Sequence, residues 1–175
     1  LASIGVVPTA VQQIDVDEIL LKTERPQDFV ERINSLKLDK WDLNTPTIVI
    51  STYKIVACGR RILLTPKNEL EAKKNIELIS GRRHHVYTSL KIRHADGKIS
   101  SRLVDTLVKV KHLSPAEIKS YLESKEWDEQ IGGYNIETKF NAFVNFIGGS
   151  YTNLLAMPSS EVYNILSGMN YFIRS

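Results

Sequence analysis

Apolar and polar positions alternate along this chain with periods that switch several times. Pro26 opens a stretch in which Phe29, Val30, Ile33 and Leu36 recur at helical spacing, predicting a helix to about Asp39 with those four residues as its apolar face. Residues 47–51 are continuous and β-branched, and predict a strand buried on both faces. The strand is expected to end near Tyr53 and Lys54, ahead of a turn and a basic Gly59-Arg60-Arg61. Asn68 with Glu71 three residues on predicts a capped helix to Ile79, with Ala72, Ile76 and Ile79 inward and Gly81 as its stop. Residues 85–93 and 99–111 read as two long strands joined by a hairpin turn at Asp96-Gly97. Ser114-Pro115-Ala116-Glu117 combines an N-cap serine, a proline at the first helical position and a glutamate at the third, and opens a helix to about residue 125. An apolar run over 140–147 leads into Gly148-Gly149-Ser150-Tyr151, and a last helix is expected from near Pro158. Strands mixed with helices around a hairpin predict an α/β or α+β sheet protein.

The chain's 175 residues suffice for one substantial domain or two closely packed lobes. Its 42% hydrophobic and 25% charged residues are ordinary for a globular protein. A formal net charge of +3 does not by itself imply nucleic-acid binding. Arg60-Arg61 and Arg82-Arg83 lack neighbouring aromatic stacking residues, which also argues against an RNA-binding domain. The single cysteine, Cys58, leaves no internal disulfide and suits a reducing cytoplasm; in its apolar run it reads as a packed thiol. No stretch reaches the ~20 apolar residues of a membrane span, and Leu1-Ala2-Ser3-Ile4-Gly5 is not a signal peptide.

Seven stretches, in order and at matching spacing, resemble the Maf family of nucleoside triphosphate pyrophosphatases. They are Asp15-Val16-Asp17-Glu18, residues 32–37, residues 56–63, residues 80–88, Glu126-Trp127, Gly132-Gly133-Tyr134-Asn135-Ile136 and residues 148–153. The resemblance spans nearly the whole chain and implies an elongated α/β fold, a mixed sheet with helices packed on it, in which two lobes of a single domain flank a central cleft. It also implies a homodimer. The implied reaction uses a divalent metal (Mg²⁺ or Mn²⁺) and an acidic base to direct water onto a nucleoside triphosphate, releasing the monophosphate and pyrophosphate. Gly59-Arg60-Arg61 and Ser80-Gly81-Arg82-Arg83-His84 resemble the branch acting on dTTP and UTP.

Carried over residue by residue, the resemblance makes Glu18 a metal or metal-water ligand, where residue type alone would suggest a solvated acidic turn. Lys37 is either a phosphate-neutralising ammonium or an exposed lysine favoured by a helix C-terminus. Ser80, Arg82 and His84 are expected to brace the cleft, Asn153 to support a turn, and Glu126 to lie near its substrate end. Tyr53 falls where the family has its catalytic aspartate, and a phenol is a poor base and a poor ligand for a hard cation. Lys54, Thr65 and Glu137 stand at substrate-binding positions where the family has threonine, lysine and glutamine. The family's amino-terminal Ser-x-Ser-Pro-Arg-Arg loop has no matching residues, Ser3 running straight into Ile4-Gly5. Two readings follow: a pyrophosphatase with altered site residues, or a catalytically impaired nucleotide-binding, dimerising relative.

Overall fold

The computed structural model describes residues 1–41 and 47–173. Its elements are α1 (Pro26–Asp39), β1 (Val49–Cys58), β2 (Arg61–Leu63), α2 (Glu69–Ile79), β3 (Arg83–Arg93), β4 (Ile99–Val110), α3 (Pro115–Glu123), β5 (Val144–Gly148), α4 (Tyr151–Leu154) and α5 (Ser159–Gly168). The five strands form one sheet in the order β2-β1-β3-β4-β5, with every neighbouring pair antiparallel. The expected mix of strands and helices is therefore present, built entirely on antiparallel pairing.

Side chains on a strand point alternately to opposite faces, and that period divides the core in two. On one face Ile55 and Ala57 of β1 and Tyr87 of β3 pack against Phe29, Val30 and Ile33 of α1. On the other, Val56, Val86 and Val108 join Ala72, Ile76 and Ile79 of α2 and Ile118, Tyr121 and Leu122 of α3. A third cluster sets Leu90 and Ile92 against Val162 and Leu166 of α5.

Local signals account for most element ends. The Ser114 capping box forms with both reciprocal hydrogen bonds. Asn68 accepts from the Glu71 amide at 3.0 Å, while the Glu71 carboxylate accepts from Lys67 N rather than from Asn68. Gly81 closes α2 at a φ of 70°, which glycine adopts at little cost. The hairpin is wider than a two-residue turn: His94 N donates to Lys98 O at 2.8 Å, with Gly97 N donating to His94 O at 2.9 Å.

Three expectations change. The strand predicted over 47–51 begins at Val49 and runs on to Cys58, so Tyr53 and Lys54 lie mid-strand. Its first half is half-buried, because α1 and the second core cover both faces only near Ile55–Ala57. Leu36 is exposed, because the buried stripe of α1 follows Phe29, Val30, Ile33, Asn34 and Leu38 instead. The short α4, capped by Ser150, adds a helix that the apolar run did not predict.

Asn34 is the polar member of that stripe and is fully buried. Its amide donates to Ser89 O at 2.8 Å and to Ser51 O at 3.2 Å, and its carbonyl oxygen accepts from Ser51 Oγ at 2.6 Å. One side chain thus joins α1 to β1 and β3. Asn34→Ala strands these buried groups and should lower stability by about 2–3 kcal/mol, read from urea denaturation midpoints at constant slope.

Candidate active site

Glu18 lies in a stretch without helix or strand, Lys37 in the last turn of α1, and Tyr53 in the middle of β1. The fold brings the three together. Tyr53 Oη donates to Glu18 Oε2 at 2.6 Å, and Lys37 Nζ lies 3.1 Å from Glu18 Oε1. The Lys37 ammonium is also 4.9 Å from the centroid of the Tyr53 ring and donates to Ile14 O at 3.1 Å. Burial, then the hydrogen bond to the Glu18 carboxylate, pushes the Tyr53 phenol well above its ordinary pKa. Tyr53 therefore keeps its proton at neutral pH and acts as a hydrogen-bond donor to the Glu18 carboxylate. That carboxylate has about four acceptor positions, and the phenol and ammonium use only one on each oxygen.

A cavity of about 900 Å³ opens beside this cluster, lined by Lys37, Leu38, Trp41 and the start of β1. Consecutive residues from Thr47 to Thr52 line it, so it follows the edge of the strand rather than one face. Among the described residues no strand pairs with that edge ahead of Val56, where β2 joins Val56, Ala57 and Cys58.

Lys54 occupies the opposite face of β1. Its ammonium donates to Leu154 O at 2.9 Å, beside a cavity of about 10 Å³ lined by Val56, Val86, Tyr134 and Ile136. Burial lowers its pKa. Thr65 is exposed in the loop after β2. The Glu126 carboxylate accepts from Lys139 N at 3.0 Å, and the exposed Glu137 follows Ile136 of the α2–α3 core. Among the described residues no hydrogen bond or ion pair links any of these four to Glu18, Lys37 or the Tyr53 side chain.

Ser80 Oγ accepts from Leu113 N at 2.8 Å, and the Arg82 side chain is exposed. His84 is fully buried, with Nε2 2.7 Å from Tyr134 Oη. Asn153 is buried as well, donating to Val86 O at 2.9 Å and to Thr106 Oγ1 at 3.1 Å, so it ties α4 to β3 and β4. Asn34 and Arg32 carry much of the positioning around the cluster; an asparagine inside an otherwise apolar helical stripe was the available signal for the first.

A resident divalent cation needs several hard oxygen ligands at one point. Among the described residues no three His, Cys, Asp or Glu side chains gather in this way. Asp15 and Asp17 are exposed, and Glu18 is the one carboxylate of the cluster. The residues present do not form a protein-held metal cage.

In this mixed α/β protein a carboxylate, an ammonium and a phenol meet beneath one helix, against its antiparallel sheet. The family model for Maf-like proteins matches residues 1–169, and the chain belongs to that family. It is 43% identical over 174 residues to a dTTP/UTP pyrophosphatase of Wolbachia sp. subsp. Brugia malayi (strain TRS), covering 98% of this chain and 87% of that protein. It is 42% identical over 168 residues to a nucleoside triphosphate pyrophosphatase of Ehrlichia canis (strain Jake), covering 95% and 88%. Identity to a dTTP/UTP pyrophosphatase of Sphingopyxis alaskensis (strain DSM 13593 / LMG 18877 / RB2256) is 38% over 169 residues, covering 97% and 89%. No helix among the described residues is long and apolar enough to cross a membrane.

Two groups removed from water give pH signatures of the same sign in different pH ranges. Burial, and to a lesser degree the charge of His85, lowers the His84 pKa from 6.5 to about 4. A histidine kept neutral contributes stability above its unfolded pKa and loses it as pH falls towards the folded value. Roughly 3 kcal/mol should therefore disappear between pH 6.5 and 4, and His84→Gln should flatten that slope in urea melts. Lys54 has its folded pKa depressed below its ordinary 10.5, so the unfolded chain binds the extra proton. Stability should rise from the depressed pKa towards pH 10, and Lys54→Met should remove that rise in the same melts.

Proposed function

We propose that this chain hydrolyses nucleoside triphosphates, with dTTP and UTP as the preferred substrates, to the monophosphate and pyrophosphate. The observation that carries this reading is the convergence of Glu18, Lys37 and Tyr53, drawn from three separate segments, on one carboxylate. The names of the relatives supply the substrate class. Water adds to phosphorus and the α–β phosphoanhydride bond breaks. Glu18 takes the water's proton, and Lys37 neutralises charge gathering on phosphate oxygens. Tyr53 holds the Glu18 carboxylate by its hydrogen bond and stays protonated. A Mg²⁺ or Mn²⁺ ion enters this proposal as the counter-ion that the triphosphate itself carries. Lys54, Thr65, Glu126 and Glu137 are assigned to substrate contacts only as far as a bound nucleotide draws them in. A cytoplasmic homodimer completes the proposal, and sedimentation of the purified chain tests the dimer.

The experiment is pyrophosphate release from dTTP, UTP and CTP with Mg²⁺ or Mn²⁺, against an EDTA blank. Glu18→Gln should lower turnover by about 10²-fold or more, the usual scale for losing a positioned base. Tyr53→Asp adds a second carboxylate and should raise turnover by at least about 10-fold. No metal-dependent turnover in the folded chain, with nucleotide still bound, would make it a nucleotide-binding relative instead. Unchanged rates in Glu18→Gln would remove Glu18 from the reaction.

A further inference from the structure

The stretch that carries Glu18 is not held by hydrophobic burial. Residues 7–21, past the buried Val6, contain no helix or strand, and Val11, Ile19 and Leu20 are 86%, 62% and 52% exposed. Of this stretch's apolar side chains, Val16 packs against the cluster under α1. Polar clamps from α1 hold the backbone instead. Lys37 Nζ donates to Ile14 O at 3.1 Å, and Lys40 Nζ to Asp15 O at 2.9 Å.

Beyond Glu18 the clamp is Arg32. Its Nη2 donates to Ile19 O at 2.9 Å, the carbonyl of the residue that follows Glu18. The same guanidinium grips Glu24 with two bonds, Nε to Oε1 at 2.7 Å and Nη2 to Oε2 at 2.8 Å. Such a two-point grip fixes orientation as well as distance. The Glu24 side chain is 8% exposed and the Arg32 side chain 29%, so the pair is partly shielded from water.

The turn between these two anchors needs an outside hold. Glu24 N donates to Leu21 O at 3.1 Å, and Leu21 N donates to Glu24 Oε2 at 3.2 Å. Thr23 in this turn has a φ of 70°, a region that β-branched residues avoid. Arg60 also reaches the turn, with Nη2 3.4 Å from Thr23 O. A strained turn with exposed apolar side chains persists where surrounding contacts over-determine it.

We propose that Arg32 is a positioning residue for Glu18: by tying Ile19 O and Glu24 to α1 it holds the Glu18 carboxylate against Tyr53 and Lys37. This rests on Glu18 as the proton acceptor, yet it can be judged without activity. The probe is the tyrosine Cζ resonance in ¹³C-labelled protein, with the Tyr53 signal assigned from Tyr53→Phe. Arg32→Ala should move the Tyr53 signal towards its position in Glu18→Gln and leave the other tyrosine signals in place. Arg32→Lys keeps the charge but loses the two-point grip, and should move it part of the way. Where the wild type turns over, Arg32→Ala should lower kcat about 10-fold with KM changed less than about twofold. If Arg32→Ala does not fold, Arg32→Lys and Glu24→Gln carry the same comparison. A Tyr53 signal that stays at its wild-type position in folded Arg32→Ala, or in both replacement variants, overturns the proposal whatever the enzyme's activity. A shift in a chain that hydrolyses no nucleotide upholds the positioning role and overturns only the proposed reaction.

Discussion

The contact on which the rest of this structure depends is the seating of α1 on β1 and β3, fixed by the Asn34 amide. Hydrophobic packing of Phe29, Val30 and Ile33 holds the helix to the sheet but tolerates sliding, because apolar contact has no direction. Hydrogen bonds from one buried amide to Ser51 and Ser89 do not tolerate it. With α1 locked in register, Lys37 arrives over the Tyr53 ring, and Arg32 faces the stretch that carries Glu18. The site is assembled from a helix, a strand and an irregular segment, and the helix holds the other two.

Neighbouring residues on β1 have opposite fates for the same geometric reason. Tyr53 turns to the α1 face and meets a carboxylate, while Lys54 turns to the other face and meets the last carbonyl of α4. Two residues adjacent in sequence therefore act in separate places: one hydrogen-bonds the Glu18 carboxylate, and the other fastens a short helix to the sheet. At position 53 a protonated phenol offers a hydrogen bond to the Glu18 carboxylate.

Much of the fold was legible in sequence because its signals are local. The Ser114 box, the helical spacing of Phe29, Val30 and Ile33, the Gly81 stop and the paired strands around Asp96-Gly97 each depend on a few adjacent residues, and each element formed where its residues asked for it. Where the reading slipped, the deciding partner was distant. β1 outran its β-branched core because β3 offers a ladder from Val49 to Ala57, and Leu36 left the buried stripe because Asn34 claimed the sheet.

Sequence by itself determined the family, the order of the elements and the residue types available for chemistry: a glutamate, a lysine and a tyrosine. These follow from motif order and local pattern, which need no knowledge of contacts. Only the tertiary structure decided that the three share one carboxylate, that Lys54 belongs to the other face, and that Arg32 anchors the irregular stretch. Each depends on which way a side chain points and on partners many residues away, and strand alternation and helix register settle both only once the sheet and α1 are packed together.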